Sequence, residues 1–445
     1  MTSTEPPATA AMKSSRARFD IPQQGYGSIH TRLRPGSPSS VGLDPAPLRE
    51  LLKQLAAWTK PLPSTGHPMY PGAVLLLANN GTVVERTAIG TALKYADVNG
   101  TELPAGQQIP MRTDTIFDLA SLSKLFTTLI ALQLMERGKL DLYAPVAKYV
   151  PDFASNGKSK VTIEQLLTHT SGFPPDPTPS LWHGYSTIPA RIKSVIESPL
   201  VNPPGNTYLY SDLNMLNLQQ VVERVTGKAL DRLVHDGITR PLGMRDTMYN
   251  PPAHLKPRVA PTEFEVGEGS AQRRLVWGQV HDENAWSLGG VAGHAGVFST
   301  ADDLSRMGQA LLNGGSYGGA RVLREQSVNA IFTDYNQRLP GDAHGLGFEL
   351  DQMWYMGCLA SMRTAGHTGF TGTSVVFDAK SRSIAVLLTN RVHPSRTWSS
   401  NNLSREACGT ALARAQSVHA PTEVPSWYAP LPNKVAAVLT TSRAS

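Results

Sequence analysis

The chain is 445 residues long and 40% hydrophobic, with 41 Lys and Arg against 35 Asp and Glu and only two cysteines, Cys358 and Cys408. That allows one large two-part domain or two ordinary ones with a sizeable core, and it excludes a disulfide framework; two buried thiols are expected. The net charge of +6 is scattered, no basic run is interleaved with aromatics, and no apolar run approaches the ~20 residues that cross a bilayer, so neither nucleic-acid binding nor a membrane span is expected.

Residues 1–40 are rich in Pro, Ser, Gly and Arg, a composition that buries too little apolar surface to offset ordering the backbone, so a loosely held arm is expected. Met1 to Arg18 has no apolar stretch of the kind a secretory signal uses, which makes a cytoplasmic location the expectation. Leu48 to Trp58 has leucines at helical spacing. Ala73 to Ala78, then Asn79-Asn80-Gly81, then Thr82 to Glu85 reads as a hairpin, because Asn-Gly suits a tight turn. After Phe117-Asp118-Leu119-Ala120 comes Ser121-Leu122-Ser123-Lys124, with Leu125, Leu129, Leu132 and Met135 at helical spacing. The spacing predicts a helix that begins near Ser121 and carries Ser121 and Lys124 on one face.

Helical signals dominate to about Pro340, clearest at Ile163 to Leu167, Leu213 to Val225 and Ala301 to Leu312. Strand signals return at Thr373 to Asp378 and Ser383 to Thr389, and a helix containing Arg405 to Ala415 follows. The expected architecture is α/β of the α+β kind, an antiparallel sheet built from both ends of the chain and flanked by helices. The sheet part is placed at about 41–120 and 341–415, a mostly helical part at about 121–340, and a tail at 416–445.

Three stretches carry the chemistry. A serine hydroxyl needs an adjacent base, and a lysine one turn away serves when its pKa is lowered; the helix N-terminus adds N–H groups that favour negative charge. Ser121 and Lys124 fit that pattern, as well as the plainer one of a helix cap beside a solvated lysine. Ser155-x-x-Lys158 has the same spacing but sits in a Gly/Lys-rich loop with no helix behind it. The second stretch is Pro203-Pro204-Gly205 leading to Tyr210-Ser211-Asp212, where a tyrosine beside a lysine cation could relay a proton or simply pack. The third, Gly366-His367-Thr368-Gly369-Phe370-Thr371-Gly372, either lets a substrate lie against the backbone or forms a bend in a strand.

Taken together and in this order, Ser121-x-x-Lys124, Tyr210-Ser211-Asp212 and His367-Thr368-Gly369 resemble the three motifs of the serine β-lactamase and penicillin-binding protein superfamily, closest to its class C-like esterases and D-amino-acid peptidases. Leu166-Leu167-Thr168-His169-Thr170-Ser171-Gly172, Pro241-Leu242-Gly243-Met244, Gly293-His294-Ala295-Gly296 and Leu388-Thr389-Asn390-Arg391 are similar to segments of that family. The resemblance implies Ser121 as acylated nucleophile, Lys124 as its proton acceptor or as the cation that tunes Tyr210, and Tyr210 as the relay to the leaving group. It also implies an oxyanion hole from the N–H groups of Ser121 and Phe370, with Asp212, His367, Thr368, Gly369 and Phe370 on the substrate side. No cofactor or metal is implied, and the partner is a small ester or amide.

Two positions depart from the pattern. Asp212 stands where many members have Asn and lacks an amide donor, and His367 stands where they usually have Lys and carries less charge at neutral pH. A carboxylesterase is therefore the expected activity, ahead of a β-lactamase, a D-alanyl-D-alanine carboxypeptidase or D-aminopeptidase, an acyltransferase, or a non-catalytic sensor. Gly314-Gly315-Ser316-Tyr317-Gly318 matches a rival nucleophile pattern, but it follows a helix where that pattern needs a strand, so a turn is expected there. Val280 to Trp286 is expected as a hydrogen-bonded loop bordering the cleft. His169 and His294 are expected to cap or pack, and Met353, Trp354 and Tyr355 to pack in the core, with an acyl pocket as the alternative.

Overall fold

A computed structural model describes residues 19, 21–266 and 273–417; residues 1–18 and 418–445, within the expected arm and tail, lie outside the described residues. In chain order the elements that frame the site are β1 (Arg34–Pro35), α1 (Pro45–Ala57), β2 (Gly72–Asn79), β3 (Thr82–Leu93), β4 (Ile109–Pro110), α2 (Ser123–Glu136) and α3 (Asp212–Thr226). They continue with α4 (Ala301–Leu312), β5 (Glu349–Leu350), β6 (Thr364–Thr368), β7 (Thr373–Asp378), β8 (Ser383–Thr389) and α5 (Asn402–Ala415). One sheet runs in the order β1-β3-β2-β8-β7-β6-β5, with β4 also on β3. Early and late strands thus meet at β2 and β8, where Leu76 faces Val386.

Local chemistry accounts for these elements. Asn80 and Gly81 both take positive φ, 49° and 79°, the turn that matches the twist of a two-residue hairpin. Asp44 accepts from Ala46 N–H at 2.8 Å to start α1. Gly227, left-handed at φ 67°, ends α3. All eight residues of β2 are buried, and alternation divides them. Val74, Leu76 and Ala78 join the core shared with α2 and α4, whereas Ala73, Leu75 and Leu77 join the one shared with α1 and α5. Helix α2, expected to be apolar along one stripe, is buried from Ser123 through Leu134, the mark of a helix enclosed by the rest of the protein.

Two expectations change. Residues 21–40 are not a loose arm: Gln24 N–H donates to Lys380 O and Gly27 N–H to Leu312 O, both at 2.7 Å, and Ile21 is buried. Backbone pairing and one buried apolar side chain supply the ordering that composition alone did not. The sheet is also mixed, because β1 runs parallel to β3 with Arg34 beside Thr82. Cys358 and Cys408 are both buried and form no disulfide. No helix among the described residues is long and apolar enough to cross a membrane.

Candidate active site

The helix begins within two residues of Ser121, as the spacing predicts. Ser121 itself occupies a 3-10 turn, Ala120–Leu122, and α2 begins at Ser123. Ala120, which opens that turn, is held at φ 47°, a left-handed conformation that L-residues other than Asn and Asp rarely adopt and that costs of order 1–3 kcal/mol. Asp118 holds it there: its Oδ1 accepts from Ala120 N–H at 2.8 Å and its Oδ2 from His281 N–H at 2.6 Å. Val297 N–H donates to Ser123 Oγ and Thr127 Oγ1 donates to Gly293 O, which lays segment 293–297 along the start of α2.

Lys124 lies fully buried beneath Ser121. Its Nζ donates to Ser121 Oγ at 2.9 Å and to His294 O at 3.3 Å, pairs with Asp212 Oδ1 at 2.7 Å, and sits 4.8 Å from the centre of the Tyr210 ring. Burial alone would lower the Lys124 pKa, but the charge of Asp212, then that of Tyr210, and the hydrogen bonds to both outweigh it and leave it raised. The proton-acceptor role needs a lowered pKa, whereas Asp212, turned towards the lysine, favours its charged form, which fits the alternative of a cation that tunes Tyr210. Burial pushes the Tyr210 hydroxyl up to about 12, against the pull of Lys124. His169 stacks on the Tyr210 ring at 4.7 Å, with Ser211 N–H and Asn214 Nδ2 donating to its Nδ1. It is a packing residue, as expected, and what it packs is Tyr210.

His367 Nδ1–H donates to Thr368 O at 2.7 Å, which leaves a buried Nε2 without a partner. Burial first, and Lys124 second, depress its pKa to about 3, so the ring is neutral across the ordinary range. Gly369 brings the end of β6 against the Ser121 segment: a Cβ there would lie 2.3 Å from Leu119 O. Thr371 Oγ1 donates to Asp118 O and Thr373 Oγ1 to Leu119 O. Ser121, Tyr210, His367, Thr368, Gly369 and Phe370 therefore line one cleft of 380 Å³. A larger groove of 460 Å³, beside the Arg86–Asp302 ion pair, holds none of these groups.

The cleft also carries residues that the sequence reading did not single out. Glu349, pushed up to about 7 by burial, and Arg391 and Arg405 line it. Trp354, expected in the core, is 40% exposed at the cleft, whereas Met353 and Tyr355 are buried as expected. The rim residue Phe370 is stacked on His281 at 5.7 Å, with Arg391 and Arg396 over its ring at 4.6 and 5.6 Å. Behind it Arg396 meets Glu265 at 3.1 Å and Glu283 at 2.6 Å and also pairs with Glu263, which His281 Nε2 contacts at 2.9 Å. The 280–286 loop is thus hydrogen-bonded at the cleft border; Asp282 caps the short helix Glu283–Ser287 and pairs with His294 Nε2 at 2.9 Å.

Two groups, Asp212/Asp282/His294 and Glu263/Glu265/His281, bring metal-ligating atoms within 4.8 Å of one another. Each already contains a side-chain cation, Lys124 in the first and Arg396 in the second. The rival serines fall outside the cleft lining. Lys158 Nζ donates to the Ser155 carbonyl and not to its hydroxyl, and Ser316 begins a two-residue strand paired with Ala320–Arg321.

A sheet drawn from both chain ends, with a hydroxyl–ammonium pair where it meets the helical region, defines a hydrolase of β-lactamase/transpeptidase fold. The chain belongs to the β-lactamase family, whose sequence model matches residues 49–407. Proteins of Salmonella agona and Salmonella typhimurium named "Putative D-alanyl-D-alanine carboxypeptidase" are 35% identical to it over 388 residues, covering 81% of this chain and 86% of theirs. Solved structures with the same fold include EstCE1, "a hydrolase with promiscuous acyltransferase activity", at TM-score 0.62 and 20% identity over 83% of this chain and 99% of that one. A penicillin-binding protein homologue from Caulobacter crescentus matches at TM-score 0.62 and 21% identity, covering 83% of this chain and 97% of that one. Unliganded simvastatin synthase from Aspergillus terreus matches at TM-score 0.60 and 22% identity with the same two coverages.

Proposed function

We propose that the protein is a carboxylesterase that forms an acyl-enzyme on Ser121. The observation that carries the reading is the 2.9 Å contact between Lys124 Nζ and Ser121 Oγ, in a cleft that Tyr210 also lines. Ser121 Oγ attacks the ester carbonyl carbon, and its proton passes to Lys124 once that amine has released one, or to Tyr210 as phenolate. The N–H groups of Ser121 and Phe370 receive the oxyanion. Collapse breaks the bond to the leaving alkoxide, which takes the proton back, and water then hydrolyses the acyl-enzyme by the same steps. A neutral His367 with a bare nitrogen supports small uncharged esters over substrates gripped by a terminal carboxylate.

A second reading, a D-alanyl-D-alanine carboxypeptidase, is favoured by the name of the 35% identical relatives and by Arg391 and Arg405 in the cleft lining. Intact mass after a fluorophosphonate, with turnover of 4-nitrophenyl butyrate, a D-alanyl-D-alanine peptide and a cephalosporin, tests both. The expected result is one adduct that is lost in Ser121→Ala and a preference for the ester. An adduct that survives Ser121→Ala would overturn the mechanism, and a preference for the peptide would select the second reading.

A further inference from the structure

The Phe370 N–H belongs to the Gly369–Phe370 peptide, and a trans peptide carries its C=O and N–H on opposite sides. Whatever holds the Gly369 oxygen therefore aims the Phe370 N–H. Arg405, on α5, does so: its Nη2 donates to Gly369 O at 2.7 Å and to Thr373 O at 3.1 Å, while Nη1 donates to Asn402 Oδ1 at 2.8 Å. On the next peptide, Arg391 Nε donates to Phe370 O at 2.9 Å. Both carbonyls that flank Phe370 are thus capped by guanidinium groups. The N–H of Phe370 itself donates to no protein group among the described residues, and Phe370 shares the cleft lining with Ser121.

We propose that Arg405 is a positioning residue for the oxyanion hole: by holding the Gly369 carbonyl it points the Phe370 N–H at the oxygen of the tetrahedral intermediate. The proposal rests on the reading of Ser121 as the nucleophile. Arg405 is 7% exposed, so its charge acts in a medium that screens poorly, and hydrogen bonding at one end of a peptide strengthens the donor at the other. Burial lowers its pKa to about 9, which leaves the guanidinium charged at neutral pH. Two of its donor nitrogens are committed to the protein; only Nε lacks a partner. A cation whose task was to grip an anionic substrate would instead turn that paired edge to the cleft.

The test uses 4-nitrophenyl acetate, which offers no charged group for an arginine to bind, together with a small alkylboronic acid that forms a tetrahedral adduct on the serine. Arg405→Met is expected to lower kcat by roughly a hundredfold with KM within about threefold of wild type, the size of effect seen when an oxyanion donor is misplaced. The boronic acid should weaken in parallel. Arg405→Lys, which keeps a charge and one donor, is expected to recover about tenfold of that loss, and it supplies the comparison if Arg405→Met does not fold. Acetate turnover within threefold of wild type in either folded variant, or a fall in kcat with unchanged boronate affinity, overturns the proposal. Absence of turnover and of a serine adduct in wild type would instead overturn the reading of Ser121.

Discussion

Replacing Asp212 with Asn removes the charge that keeps Lys124 an ammonium while leaving a side chain of the same shape. In the structure Asp212 stands 2.7 Å from Lys124 Nζ, and it raises both Lys124 and Tyr210. Without it, only Tyr210 opposes the effect of burial on Lys124, and Tyr210 loses a repulsive neighbour, so either candidate proton acceptor loses its proton at lower pH. A hydrogen bond to a charged group contributes about 1.5–3 kcal/mol, and one pH unit corresponds to about 1.4 kcal/mol. The rising limb of kcat/KM for 4-nitrophenyl butyrate against pH should therefore move down by about 1–2 units in Asp212→Asn. Thermal stability gives an independent check. A lysine whose folded pKa lies above its unfolded value of about 10.4 stabilises fully below that pH and loses its contribution as pH climbs through the folded value. The Tm gap between wild type and Asp212→Asn should thus hold across neutral pH and close as pH rises into the alkaline range. A pH profile that stays in place or moves upward would refute the electrostatic account of the site.

The double change Asp212→Asn, His367→Lys restores an amide donor and a cation on the substrate side, and it should raise cephalosporin turnover relative to butyrate turnover by about ten- to hundredfold. No gain in that ratio would count against the specificity argument. Gly369→Ala places a methyl group 2.3 Å from Leu119 O, so β6 and the Ser121 segment must separate. Ester kcat should fall by roughly a hundredfold, since a displacement of about 1 Å is enough for that, and Tm should fall with it; an active Gly369→Ala enzyme would mean that the close approach is dispensable.

Features written in short stretches of sequence were legible before the fold was known. Asn80-Gly81 specified the hairpin, the apolar runs at Ala73 to Ala78 and Ser383 to Thr389 specified the buried strands, and Leu213 to Val225 came within one residue of α3 at either end. Ser121 and Lys124 stood out through their spacing and the apolar helix behind them. What depends on partners far apart in sequence was not legible. Nothing near Lys124 announces that Asp212 will fix its charge, and Arg405 reads as an ordinary residue early in a polar helix. Asp118 gave a faint signal, a carboxylate two residues ahead of Ala120, which a search for local caps could have used. The strand at Arg34–Pro35 has no alternation to detect, because it is two residues long and exposed.

The junction of β2 and β8 has a consequence for how the chain acquires its structure. Gly72 N–H donates to Asn390 Oδ1 across 318 positions of sequence, and every residue from Gly72 to Asn79 ends up buried. During synthesis the hairpin is complete long before its second neighbour exists, so one edge of an almost wholly apolar strand stands open until Ser383 to Thr389 has emerged. Pairings of such long range are slow to form, and an open apolar edge is what other chains add to. The same arrangement that seats Ser121 between strands from the two ends of the chain predicts that folding completes late and that refolding yield falls as chain concentration rises.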